Sequence, residues 1–289
     1  MNRLAFAAII ALLPAVAIAQ PAEITINDPK AAPESITMAP GGALIMGSAG
    51  LPFIFRAAQG ATVAEKFIDV TNDGGGTFLG VLADAGSNTL WACQITAVPG
   101  TTQRRTFLRG FDLGSGAAKF RWALPGDANT CNDFTVGADK ALYITDTANG
   151  RIYRLKPGAA DAELLIENRT LIGVDGITFL DGVLYVNTVT TNNLYRIPLD
   201  SSGKAGAPID IWMDQPVSAP DGMRAAGGKM FMTENRVGKV DLVTIAGDKA
   251  HITVLKEGLG TPTAVEPVGD TLWIGERANN RAVAIPIPK

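Results

Sequence analysis

Six short segments of one kind recur along the chain: ALIMGS, TLWACQ, ALYITD, VLYVNT, KMFMTE and TLWIGE. Each is a run of apolar residues that ends on a polar one. Counted at their second residues (Leu44, Leu90, Leu142, Leu184, Met230 and Leu272), they lie 46, 52, 42, 46 and 42 residues apart. A repeat of that length built from strands predicts the blades of a β-propeller. A closed propeller brings the first strand of every blade to one central channel, so residues distant in sequence can share one site.

Residues 131–168 show the unit most clearly. CNDFTVGA, ALYITDT, RIYRLKP and DAELLIEN read as four strands. The turns between them carry the Asp, Asn and Gly that tight turns favour. The same order recurs elsewhere, least regularly in the second unit, which precedes the longest gap and therefore carries an insertion. The last unit has only TAVEPV, TLWIGE and AVAIPIP before the chain ends. AEITIND, near the start, is expected to supply its missing strand. The expected fold is all-β: a six-bladed β-propeller of four-stranded antiparallel blades, closed by the N-terminal strand. A β-sandwich is the alternative, but it needs no regular unit length.

Residues 1–19 read as a cleaved secretory signal: Arg3, an apolar run, and an Ala17-Ile18-Ala19 exit. Residues 20–289 then form the single domain. Without Arg3 it carries 28 acidic residues against 24 Lys and Arg, a net charge of −4. No basic tract suits a nucleic-acid backbone, and no later segment is long and apolar enough to span a bilayer. Two cysteines in an exported chain are compatible with one disulfide. The expected address is periplasmic or secreted; the sequence sets no oligomeric state.

Polar residues interrupt the openings of four first strands. Glu34 stands ten residues before Leu44, and Asn132 ten before Leu142. Asp175 stands nine before Leu184, and Asp221 nine before Met230. Equivalent offsets in separate blades predict that these four side chains meet at one end of the channel. Singly, an acid before Gly is often only a turn residue bonding its own backbone. Three carboxylates and an amide oxygen together suit a hard divalent cation. Calcium is expected first, with magnesium, manganese and zinc behind it. The chain's one histidine, His251, falls in an outer strand of the fifth unit. Met46, Met223, Met230 and Met232 read as packing residues.

The segments PESITMAPGGALIMGS, CNDFTVGADKALYITDTANGRIYRLKPG, GVDGITFLDGVLYVN and APDGMRAAGGKMFMTEN carry a resemblance. The chain resembles the calcium-dependent lactonase superfamily of six-bladed propellers, which holds regucalcin and the bacterial gluconolactonases. The resemblance implies Glu34, Asn132, Asp175 and Asp221 as metal ligands, with Asp221 also as catalytic acid or base. Asp175 departs from the pattern, because the hydrolases commonly carry Asn there. The substrate implied is a small molecule such as a sugar lactone. Ser48, Gln94, Asp146, Asn187, Glu234 and Arg277, at second-strand ends and in the turns just after them, could read its hydroxyls or simply satisfy loop backbone. On the same map Cys93 and Cys131 fall at one end of the ring, where a disulfide would pin the 94–130 connection. The competing reading is a non-catalytic binding module with a structural or ligand-binding calcium site.

Overall fold

The computed structural model describes residues 21–126 and 128–289; the expected signal segment lies outside the described residues. A short strand, β1 (Glu23–Thr25), comes first. The first unit holds β2 (Pro33–Ala39), β3 (Ala43–Ser48), β4 (Phe53–Ala57) and β5 (Glu65–Asp69). The second holds β6 (Thr77–Asp84), β7 (Thr89–Ala97), β8 (Arg104–Asp112) and β9 (Ala118–Ala123). The third holds β10 (Cys131–Val136), β11 (Leu142–Asp146), β12 (Arg151–Leu155) and β13 (Glu163–Glu167). Next come β14 (Val174–Leu180), β15 (Val183–Thr188), β16 (Asn193–Ile197) and β17 (Ile209–Met213). After them run β18 (Pro220–Ala226), β19 (Lys229–Glu234), β20 (Lys239–Ala246) and β21 (Lys249–Lys256). The chain ends with β22 (Pro262–Val268), β23 (Thr271–Glu276) and β24 (Arg281–Pro286).

Consecutive strands of a unit pair antiparallel, as in β10–β11 and β11–β12. Local chemistry sets the hairpins. Asp181 and Gly182 both take positive φ, 50° and 79°, between the paired residues Leu180 and Val183. That is the two-residue turn an Asp-Gly pair favours. At the other end of the fold, β1 pairs with β24, Ile24 facing Ala282. The last sheet therefore runs β1-β24-β23-β22, with the N-terminal strand on its edge.

The expectation of six separate four-stranded blades is corrected by the sheet topology. Four sheets are four-stranded and make a four-bladed propeller arrangement; the other eight strands form one sheet, β14-β15-β16-β17-β21-β20-β19-β18. Its two end strands, β14 and β18, pack side by side, so the sheet nearly closes on itself. The join is a parallel pairing of β17 with β21, Trp212 against Lys249 and Met213 against Ala250. The reason is length. Strands β20 and β21 have eight residues each, against five in β17. The longer hairpin reaches the edge of β17, where Trp212 N–H donates to Asp248 O at 3.0 Å. Two strand edges that would otherwise lie open are covered at once.

The core consists of apolar wedges between consecutive units. Ile45 packs with Phe78, Leu108 with Phe134, Tyr143 with Val174, and Leu194 with Met223. Phe231 packs with Ile274, and Ile36 with Trp273. Each such large side chain contributes roughly 1.5–3 kcal/mol by leaving water. Met46, Met223, Met230 and Met232 are all buried in these wedges. The wedges also bring the first strands together. Contacts run from β2 to β6, β10, β14, β18, β22 and back to β2.

Candidate functional site

Each of these first strands slips register once against its second strand. The slips fall between Pro33 and Ser35, Phe78 and Val81, and Cys131 and Phe134. They recur between Val174 and Ile177, Pro220 and Met223, and Pro262 and Ala264. A bulged residue leaves the ladder and its side chain is re-aimed. Glu34, Asn132, Asp175 and Asp221 each sit inside such a slip. The glycines after the two aspartates have a steric reason. A Cβ on Gly176 would lie 2.5 Å from Asp221 O, and one on Gly222 would lie 2.4 Å from Thr263 O. Only a residue without a side chain lets neighbouring first strands approach so closely.

All four side chains are buried and line one small cavity of about 10 Å³, room for about one water-sized sphere. Asn132 Nδ2 donates to Asp175 Oδ2 at 2.8 Å and to Thr147 Oγ1 at 3.0 Å. Asn235 Nδ2 donates to Asp221 Oδ2 at 2.8 Å. Burial pushes the Glu34 carboxyl well above its ordinary range, and the Asp221 charge pushes it further. Asp175 is raised in the same way, by burial and then by the charges of Asp221 and Glu34. Asp221 is pushed up to about 7, chiefly by burial, against the opposing hydrogen bond from Asn235.

A fourth carboxylate, Asp133, also lines the cavity, but its charge is paired. Arg224 grips it with two parallel bonds, Nη1 to Oδ2 at 2.7 Å and Nη2 to Oδ1 at 2.8 Å, the fork geometry that suits a carboxylate best. Arg224 also lies 3.9 Å from Glu266. Among the described residues, Glu34, Asp175 and Asp221 have no such ion pair.

Among the described residues, no group of three or more His, Cys, Asp and Glu side chains is arranged to hold a metal ion. The donor set nevertheless fits a hard cation in kind. All its free groups are oxygens, and the buried Glu34 carboxylate accepts no hydrogen bond among the described residues. Asn132 spends its amide hydrogens on Asp175 and Thr147, which leaves its carbonyl oxygen free.

This fold is shared with proteins of several activities. Virginiamycin B lyase from Staphylococcus aureus superposes with a TM-score of 0.64 at 15% identity, over 92% of this chain and 98% of the lyase. An aldose sugar dehydrogenase from Streptomyces coelicolor in its PQQ-bound form gives 0.65 at 19%, over 93% and 99%. A gluconolactonase from Xanthomonas campestris gives 0.66 at 18%, over 88% and 86%. At such identities the likeness is one of fold, and a fold of this kind hosts many functions. No family model matches the chain, and no curated protein does. The resemblance to the calcium-dependent lactonase superfamily is therefore corrected. The eight-stranded sheet departs from a propeller of six separate blades, and no sequence-level match supports membership.

The second-strand ends take up mostly local bonds. Ser48 Oγ bonds Ala31 O and accepts the Leu51 N–H at 2.9 Å. Gln94 Nε2 donates to Gly75 O at 2.8 Å, and its Oε1 accepts from Arg109. Asp146 accepts from Thr130 N at 2.8 Å, and Glu234 accepts from Ser218 N. Asn187 ties two first strands together, accepting from Gly176 N at 2.9 Å and donating to Asp221 O at 2.6 Å. None of these five lines the cavity. Arg277 differs: it is exposed, and its charge holds down the carboxyls of Glu34 and Asp221.

Thr147 and Asn235 reach the cluster, and the strand-end reading passed them over. Each stands one residue beyond a second-strand end, as Arg277 does, and that shared offset was the available signal. His251 lies on β21, 64% exposed and paired with Asp214, away from the cavity.

Cys93 and Cys131 are bonded, with Cα atoms 5.3 Å apart and a sequence separation of 38. The bond ties β7 to β10 one residue before Asn132. A buried structural disulfide belongs to an oxidising, non-cytoplasmic setting, periplasmic or secreted.

Proposed function

We propose that this protein is an exported metal-dependent hydrolase that opens a sugar lactone or a related cyclic ester. The observation that supports it most is the burial of Glu34, Asp175 and Asp221 around one ion-sized cavity, where their charges crowd one another. Such crowding is costly unless a cation or protons offset it. Calcium is the first candidate, with magnesium, manganese and zinc behind it. Glu34, Asn132, Asp175 and Asp221 are the proposed ligands. Bound there, the cation would polarise the substrate carbonyl.

The chain's own groups would do the rest. Asp221 is the proposed general acid or base. Burial pushes it up to about 7 without a cation, and a bound cation would lower it. A carboxylate oxygen left off the cation would take up or give the proton. The Asn235 amide keeps one of its oxygens fixed. Arg277 stands exposed near the cluster, suited to a hydroxyl or a developing negative oxygen of the substrate. In this reading Ser48, Gln94, Asp146, Asn187 and Glu234 hold the surrounding backbone, and the substrate meets the site above it.

A second reading is a binding module without chemistry, favoured by a cavity too small to admit more than an ion. The test is metal content after dialysis, followed by a pH-indicator screen of lactones with and without EDTA. Metal-dependent turnover that disappears in Asp221→Asn with the fold intact supports the hydrolase. Retained metal without turnover across the panel supports the binding module.

A further inference from the structure

A second cavity, of about 530 Å³, opens at the other end of the ring, in the seam between the β6–β9 and β10–β13 sheets. Strand β10 runs from Asn132 at the axial cluster to Val136 at this seam, so the two sites are separate. The size is that of a small-molecule pocket. Its walls are apolar. Trp91 and Phe120 stand edge to face, 5.6 Å between ring centres, opposite Val136, Leu142 and Leu155.

Its rim is basic. Lys119 Nζ is fixed by Ser87 O, Asn88 O and Thr89 Oγ1, at 3.2, 3.0 and 3.0 Å. Lys156 pairs with Glu163 at 3.1 Å. Lys140 is exposed, and its ammonium has no bond or ion pair among the described residues. The one acid on the lining, Asp84, already accepts from Gly86 N at 2.9 Å and from Ser87. An apolar floor with a free ammonium at its mouth matches a molecule with an apolar body and one acidic head.

We propose that this seam binds an apolar monocarboxylate, seating its body between Trp91, Phe120 and Leu142 and its carboxylate beside Lys140. The site is independent of the axial cluster and of any activity there.

The test is calorimetric titration of the whole mature chain with decanoate, using decanol as the neutral control. Decanoate should bind saturably at one site, and Lys140→Glu should weaken it about tenfold without altering decanol. Ala159→Trp, which fills the cavity from a loop, should abolish both while circular dichroism and melting stay unchanged. The proposal is overturned if decanoate fails to saturate or binds no better than decanol. It is equally overturned if a folded Ala159→Trp variant binds as the wild type does.

Discussion

The Asn132 amide donates to Asp175 Oδ2 at 2.8 Å across the boundary between two sheets. This bond sets the orientation of the amide, turning its oxygen free, and it ties the acidic position of the eight-stranded sheet to its neighbour. Asp175→Asn should remove a charge from a crowded set. Calcium affinity should fall about tenfold or more, because ligand charge tunes such sites. The metal-free protein should melt higher. Where turnover is measurable it should rise, since a less charged ligand set leaves the cation more strongly polarising. Calorimetry and thermal melting read the first two effects; an unchanged affinity would remove Asp175 from the site.

Metal binding should depend on pH in a fixed direction. Glu34 and Asp175 are raised well above their ordinary range, and Asp221 to about 7. A cation must displace the protons these carboxyls hold, so affinity should rise as pH increases through about 7, with proton release on binding. Titrations in buffers of different ionisation enthalpy at pH 6 and pH 8 measure that release. Affinity independent of pH over this range would contradict the assignment.

Away from the site, Asp241 is a fully buried acid that faces the Glu234 carboxyl. Burial first, then the charge of Glu234 and a hydrogen bond shared with it, push it up to about 7; Lys239 opposes and Glu257 adds. Because the folded form holds its proton more tightly than the unfolded chain, stability is greatest in acid. It is lost as pH rises from the ordinary aspartate range through about 7. Asp241→Asn should flatten that loss and stabilise the protein at pH 8 by roughly 1–3 kcal/mol. Urea unfolding at pH 5 and pH 8 separates the two behaviours.

The Cys93–Cys131 bond closes a long loop, with a sequence separation of 38. Replacing both cysteines by serine should cost about 2–4 kcal/mol in urea unfolding. The larger effect should fall on the 94–130 connection, which loses its tether beside Asn132. Hydrogen exchange in that connection should speed up, while β22–β24 should keep its protection.

Much of this was legible from spacing, because a bulge of fixed position leaves a fixed offset. Glu34, Asn132, Asp175 and Asp221 could be found by counting back from Leu44, Leu142, Leu184 and Met230. The direction of the second-strand ends could not. Asp146 and Glu234 turn to loop N–H groups, while Thr147 and Asn235, one residue on, bond the cluster. A one-residue step reverses the face of a strand, and periodicity alone does not say where the strand stops. The Asp133–Arg224 pair joins residues 91 apart, so no local pattern announces it. The β17–β21 pairing is likewise non-local. It depends on the reach of the β20–β21 hairpin, whose length alternation does not fix.

The proposed cation site of buried carboxylates is one that serves chemistry. Its most direct test is lactone turnover by the dialysed protein, titrated with calcium, in the wild type and in Asp221→Asn. Turnover should follow calcium occupancy in the wild type and be lost in the variant, with the fold intact. Calcium-independent turnover, or turnover unchanged in Asp221→Asn, would contradict it.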